Sequence, residues 1–353
     1  MNRPTDPPDP DPSDDVTRQS AAEETAEPRA PAADDLDYRH RNGRVHYAAH
    51  QRRVDATALG QLVLHLPGTF LSLLVILLIS GGLDVWLGLP LWVPPLVWLA
   101  SGALLFHRPT EDFLARHLLR LQRPMPDEYA RLDPVWREVT ARAGVDGRAY
   151  ELWIEDSNGL NAYAAAGHIV GVTRFALDHL PSSQLAAVLA HELGHHTGGH
   201  VWTSLLGHWY ALPGRAAWYV IRLIVVFAIA LTSSFSWLAT AALSLVIVFL
   251  TYSTITHLYG LPLVLLVTPY LIAAVGRRAE LRADQHAAAL GFGPMLAQVL
   301  VAMHTAETEA GPRPLAAAGA GPDAPGMLAR LLSTHPDYPT RLHRLRPYLD
   351  PRR

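Results

Sequence analysis

The alternation of apolar and polar positions divides the chain into five stretches. Up to about Asp55 large aliphatic side chains are scarce, and Pro, Ala, Asp and Glu dominate. Such a segment cannot bury enough surface to offset its ordering entropy, so residues 1–57 are expected to form a disordered acidic tail. Its acidic, proline-rich start lacks the basic end and apolar core of a signal peptide. Two dense apolar runs follow, at about Gln61 to Leu83 and about Val85 to Phe106. Each is about 20 residues long, enough to cross roughly 30 Å of hydrocarbon, which predicts two transmembrane helices within residues 58–107.

Polarity returns over residues 108–215. Glu111 to Leu121 has helical apolar spacing with Arg116, His117 and Arg120 interspersed, as in a helix lying on a membrane surface. Asp127 to Ala143 reads as a second helix, stopped at Gly144. The period then changes: Glu151–Glu155 reads as a strand, and Asn161–Ala166 with His168–Thr173 as a strand pair turning near Gly167. Pro181, with Ser182 or Ser183 as N-cap, opens a helix that should end near Gly198-Gly199. Residues 216–276 are apolar again, in patches at about 218–231, 237–252 and 258–275. Residues 277–353 open with a helix from Arg278 to Leu290 and another from Pro294 to about Glu309. A Gly/Pro/Ala loop from Gly311 to Gly326 and a short helix at about Met327–Leu332 complete the reading.

Charge orients this pattern. Every basic residue other than histidine is Arg. Arg39, Arg41, Arg44, Arg52 and Arg53 precede the first apolar run and Arg108, Arg116, Arg120 and Arg123 follow the second, while Ser80–Asp84 between them carries none. That asymmetry places both ends of the hairpin in the cytoplasm. Arg277 and Arg278 place the chain after the second block on the same side, so its crossings must be even in number. Two spans are expected there, with one of the three patches belonging to a long or broken helix. A hydrophobic share of 50% and a mean hydropathy of +0.12 fit a chain whose partner is a lipid bilayer. The net charge of −3 gives no reason to expect nucleic acid. Cysteine is absent, which excludes disulfides and thiolate zinc sites; a zinc site here must use His and carboxylate.

The candidate chemistry lies in His191-Glu192-Leu193-Gly194-His195, the H-E-x-x-H pattern. On a helix the two imidazoles face the same way and can reach one ion, with Glu192 beside them as a general base. A catalytic zinc takes a third protein ligand. A metzincin would need His at Val201, and His200 is one residue early. A site-2-type protease would bury the motif in a span and add a distant Asp, but here the flanks are polar and no Leu-Asp-Gly segment is present. Glu280 is the remaining candidate: it and Asp284 are like charges four apart on a helix, which repel, and that makes sense if Glu280 binds zinc and Asp284 fixes the tautomer of a ligating imidazole. Span parity returns this helix to the side of His191.

With these residues the chain resembles the HtpX-type membrane endopeptidases of the CAAX prenyl protease/HtpX family of zinc metallopeptidases. The likeness rests on His191-Glu-Leu-Gly-His195, Arg278-Ala-Glu280-Leu-Arg-Ala-Asp284, Asn161-Ala-Tyr163-Ala164, and His335-Pro followed by Arg341. It spans about Leu59 to Leu345, and departs in having Leu281 where an aromatic is common. It implies a mainly α fold: a multi-pass membrane protein with a cytoplasmic zincin-type metalloprotease domain containing a small β-sheet. It implies a gluzincin site with one zinc per chain held by His191, His195 and Glu280, Glu192 as base and Asp284 behind the ligands. The strand at Asn161 and Tyr163 would pair with extended substrate, and His335 and Arg341 would contact the reacting carbonyl or, for Arg341, brace the Glu280 helix. His196, His200, His208 and His257 are expected at the surface or at interfaces. Protein and peptide substrates are implied, misfolded or damaged membrane proteins among them, at the cytoplasmic face of the cell membrane; oligomeric state stays open. The competing reading is a membrane scaffold or regulator with a structural metal, which would have no use for Glu192.

Overall fold

A computed structural model of the chain describes residues 55–157, 159, 161–257, 261–309 and 336–349. The expected tail up to residue 54, the loop from Gly311 to Gly326, the short helix at Met327–Leu332 and His335 lie outside the described residues.

The first helix, α1, spans Ala56–Leu87. Asp55 caps it by accepting hydrogen bonds from the backbone N–H groups of Thr57 and Ala58, so the helix starts inside the stretch assigned to the tail. It ends where Gly88 takes a left-handed φ of 65°, a conformation glycine adopts without penalty. The second apolar run differs from expectation. It forms α2, Val93–Ser101, extended by a 3-10 turn at Gly102–Phe106. Val85–Leu87 belong to α1, and Pro94 and Pro95 lack the N–H groups an earlier turn would need, so the chain can restart only there.

α3, Arg108–Phe113, continues as a π turn through Leu118. The strand β1, Leu121–Gln122, follows, then α4, Pro126–Ala143, closed by Gly144 at φ 65°. Three further strands are β2, Glu151–Glu155; β3, Ala162–Ala165; and β4, Ile169–Thr173. The sheet order is β1-β2-β4-β3, with β2 and β4 parallel and β3 antiparallel to β4, so β3 forms an edge. Every residue of β4 is buried, as its apolar run Ile-Val-Gly-Val requires of a central strand.

α5, Arg174–His179, leads to α6, Ser182–Gly198, the H-E-x-x-H helix. Its N-cap is Pro181, without a side-chain hydrogen bond, one residue before the serines expected there. Gly199 at φ 82° ends α6 and turns the chain into α7, His200–Phe235, 36 residues long and about 54 Å at helical rise. α8, Trp237–His257, and α9, Leu261–Ala287, follow. The three apolar patches are therefore three helices, and α9 carries the last patch and the Glu280 segment without interruption. α10, Gly293–Glu309, and α11, Tyr338–Leu349, complete the described chain.

The core lies between the sheet and α4, α6, α10 and α11, where Ile154, Val172, Leu189, Leu193, Leu300 and Leu345 are buried. A smaller cluster of Ala115, Leu121, Trp153, Ala166 and Ile169 covers the other face. Among the described residues, four helical runs are long and apolar enough to cross a membrane: Ala56–Leu87, His200–Phe235, Trp237–His257 and Leu263–Ala306. Phe70, Trp86, Phe227 and Phe249 stand exposed on them, as lipid-facing side chains would. Where α1 meets α7 the residues are small: Gly68 faces Ala211, and Gly214 donates its N–H to Ser72 Oγ at 2.9 Å. Small residues let apolar helices approach closely. Gly207 gives its space to the imidazole of His65. Gly207→Leu is therefore expected to cost about 1–3 kcal/mol through overpacking, read as a lower unfolding midpoint in detergent; an unchanged midpoint would show that the interface yields.

Candidate active site

Two helices build the site. α6 buries its apolar face through Leu185, Leu189 and Leu193, which turns His191 and His195, four residues apart, toward α9. α9 lies close because residue 194 is glycine. A Cβ there would stand 3.1 Å from Ala283 Cα and 3.3 Å from His286 Cβ, so α9 would have to give by a few tenths of an ångström. The carboxylate of Glu280 thereby comes within reach of both imidazoles.

The three side chains bring their donor atoms together as a triangle of residues, with a different Glu280 oxygen toward each imidazole. His191 Nε2 and His195 Nε2 are 3.3 Å apart. Glu280 Oε2 is 3.5 Å from His191 Nε2, and its Oε1 is 3.3 Å from His195 Nε2. Ligands about 2.0–2.1 Å from a tetrahedral zinc stand about 3.3–3.4 Å apart, so the set fits a zinc-sized ion. Among the described residues this is the group of His, Asp and Glu that could hold a metal. Burial alone would lower the pKa of His191, but Asp284 and Glu280 outweigh it and push it up to about 10.

Behind the triangle, Asp284 is fully buried. Its Oδ1 lies 2.9 Å from His191 Nδ1, which leaves Nε2 of that ring free for a cation. Arg341 on α11 grips the same carboxylate with two hydrogen bonds, Nε to Oδ2 at 2.8 Å and a guanidinium N–H to Oδ1 at 2.6 Å. Burial pushes the Asp284 carboxyl up, but the bonds from Arg341 and His191 outweigh it and hold it below its usual value. Arg341 thus braces α9; its nearest approach to Glu280 is 3.8 Å.

Glu192 is buried beside the triangle, and the backbone N–H of Ala164 on β3 faces its carboxylate. Burial raises its pKa, against the pull of His191 and His195. Alternation along β3 sends Ala162 and Ala164 toward α6 and Tyr163 the other way. Tyr163 packs over Gly171 and against the second cluster, with Glu155 near its hydroxyl, so it does not face the donors. Asn161 is exposed, and its backbone N–H and carbonyl both bond Thr173 Oγ1. Of the other histidines, His196 is buried with Nε2 2.8 Å from the Ile169 carbonyl, and burial pushes it down to about 4. His200 is buried at the start of α7, and His208 and His257 are exposed. None of these joins the triangle. Sequence reading missed the roles of Gly194 and Ala164. A glycine inside a helical pattern was the available sign of the first; no residue type marks the second, which is a backbone contact.

An H-E-x-x-H helix joined to a Glu on a second, distant helix defines a metallopeptidase site. The family model for peptidase family M48 matches residues 126–349, more than half of the chain, and the protein belongs to that family of metal-dependent peptidases. The match runs from α4 through α11 and so includes both site helices. Comparison with curated proteins found no match.

Arg341→Ala would leave the Asp284 carboxylate buried without its guanidinium. A loss of about 3–5 kcal/mol is expected, measured by denaturant unfolding in detergent. A cost under about 1 kcal/mol would mean that water reaches Asp284 and that the brace is dispensable.

Proposed function

We propose that this peptidase is a membrane-embedded zinc endopeptidase of the HtpX type, with zinc held by His191, His195 and Glu280 and with Glu192 as general base. The observation that carries the reading is the His191, His195 and Glu280 cluster, with each imidazole Nε2 3.3–3.5 Å from the other or from one Glu280 oxygen, beside the buried Glu192 carboxylate. Zinc bound there would act as a Lewis acid, activating a water and polarising the scissile carbonyl.

The protein's own residues do the rest. Glu192, its carboxyl raised by burial, accepts the proton of the attacking water and passes it to the leaving amine. Asp284 and Arg341 hold the His191 ring in orientation. β3 offers an edge, and an extended substrate adding to it would be read mainly through its backbone. Because Ala164 of that strand faces Glu192, a peptide paired there lies next to the base. The apolar helices support a membrane setting, and the arginine distribution supports a cytoplasmic site. Substrates are proposed to be membrane proteins, misfolded or damaged ones among them. The contact between Asp55, His200 and Arg282 supports the even span count, since the starts of α1 and α7 and the polar end of α9 meet at one level.

Glu192→Gln is expected to keep its zinc and to lose casein cleavage by about 10²–10⁴-fold. Equal cleavage by wild type and variant would sink the peptidase assignment of this site. Zinc affinity should also depend on pH. His191, pushed up to about 10 without metal, must release its proton to bind, so protons compete with zinc below that value. Affinity is expected to rise about tenfold per pH unit between about pH 6 and 9, measured by chelator competition; a flat profile would remove His191 from the ligand set.

A further inference from the structure

Asp55 sits where the start of α1, the end of α6 and the start of α7 meet the flank of α9. Its Oδ1 accepts hydrogen bonds from the N–H groups of Thr57 and Ala58 at 2.8 and 2.7 Å, capping α1. Its Oδ2 lies 2.7 Å from the Arg282 guanidinium and 3.2 Å from His200 Nε2. Its backbone N–H donates to the Gly198 carbonyl at 3.2 Å. Thr57 Oγ1 closes the cluster, 3.0 Å from His200 Nε2 and accepting from Arg282 at 3.2 Å. Gly198 ends the helix of His191 and His195, and Arg282 is two residues beyond Glu280. At about 100° per residue Arg282 stands roughly opposite Glu280 and Asp284 on α9. Arg341 therefore holds one side of α9, and Asp55 the other.

We propose that Asp55 is a positioning residue for the metal site: it clasps α6 and α9 to the base of the first apolar helix and sets the spacing of the three donors. This rests on the zinc peptidase reading above. Burial pushes the Asp55 carboxyl up, but Thr57, Ala58 and Arg282 outweigh it and hold it well below the usual range, so it is charged at any pH at which the enzyme would work. A single partly exposed ion pair contributes little to stability, and the effect lies in one residue joining both site helices, α9 through its carboxylate on Arg282 and the end of α6 through its backbone N–H on Gly198.

Substitution separates the clasp from the cap. Asn and Ser cap a helix as Asp does but carry no charge for Arg282; Glu keeps the charge and caps poorly. In full-length protein in detergent, Asp55→Asn and Asp55→Ser are expected to bind zinc about tenfold more weakly by chelator competition. At saturating zinc, their casein kcat should fall more than KM changes, and their melting temperature should stay near wild type. Asp55→Glu should melt earlier yet keep its zinc affinity. The clasp is overturned if Asp55→Asn binds zinc like wild type, or if affinity across the variants follows melting temperature. A wild type that binds no zinc and cleaves nothing would overturn the peptidase reading and the clasp together, an outcome distinct from an active wild type matched by its variants.

Discussion

The close crossing of α6 and α9 is the constraint on which the site depends. His191, His195 and Glu280 come from two helices, yet their donor atoms stand 3.3–3.5 Å apart, and two features allow it. Gly194 removes the Cβ that would strike Ala283, and the Asp284 carboxylate ties His191 to Arg341. A buried carboxylate held between an imidazole and a guanidinium is costly to form and more costly to disrupt. The consequence is geometric: α9 has one depth and one rotation at which Glu280 and Asp284 both meet their partners.

The apolar helices are part of the same construction. α6 passes through Gly199 straight into α7, and α9 arrives at the site as the last turns of a 27-residue helix that begins in an apolar patch. Whatever fixes α1, α7 and α9 to one another therefore also fixes the donors. The small residues along α1 and α7 allow those helices to lie close, and Asp55 joins their bases to α9. An apolar helical bundle of this kind serves as the scaffold of the site.

The catalytic segment is arranged around α6 from the other side. The sheet lies against it with β4 buried at the centre and β3 at the edge, so the strand free to accept a partner is the one that meets Glu192. Glu111 holds the β3–β4 turn through the Gly167 N–H and His168, linking that hairpin to α3 and thus to the end of the second apolar run.

What the sequence determined by itself is local. The four-residue spacing of His191 and His195, the like charges at Glu280 and Asp284, the glycine stops at Gly144 and Gly199, and the strand pair around Gly167 are all short-range patterns. Each is governed by helical or strand period and by backbone freedom. The arginine flanks of the apolar runs are likewise written along the chain, since charge placement is a property of sequence alone. Tertiary structure decided the rest. The second apolar run was shortened by Gly88 and its prolines, whose combined effect depends on where α1 ends. Tyr163 turned away from the donors because Ala162 and Ala164, one residue to either side, took the face toward α6. Asp55, assigned to a tail by composition, became a junction through contacts with residues more than 140 positions away. No one-dimensional pattern encodes such contacts, since they exist only once the helices have crossed.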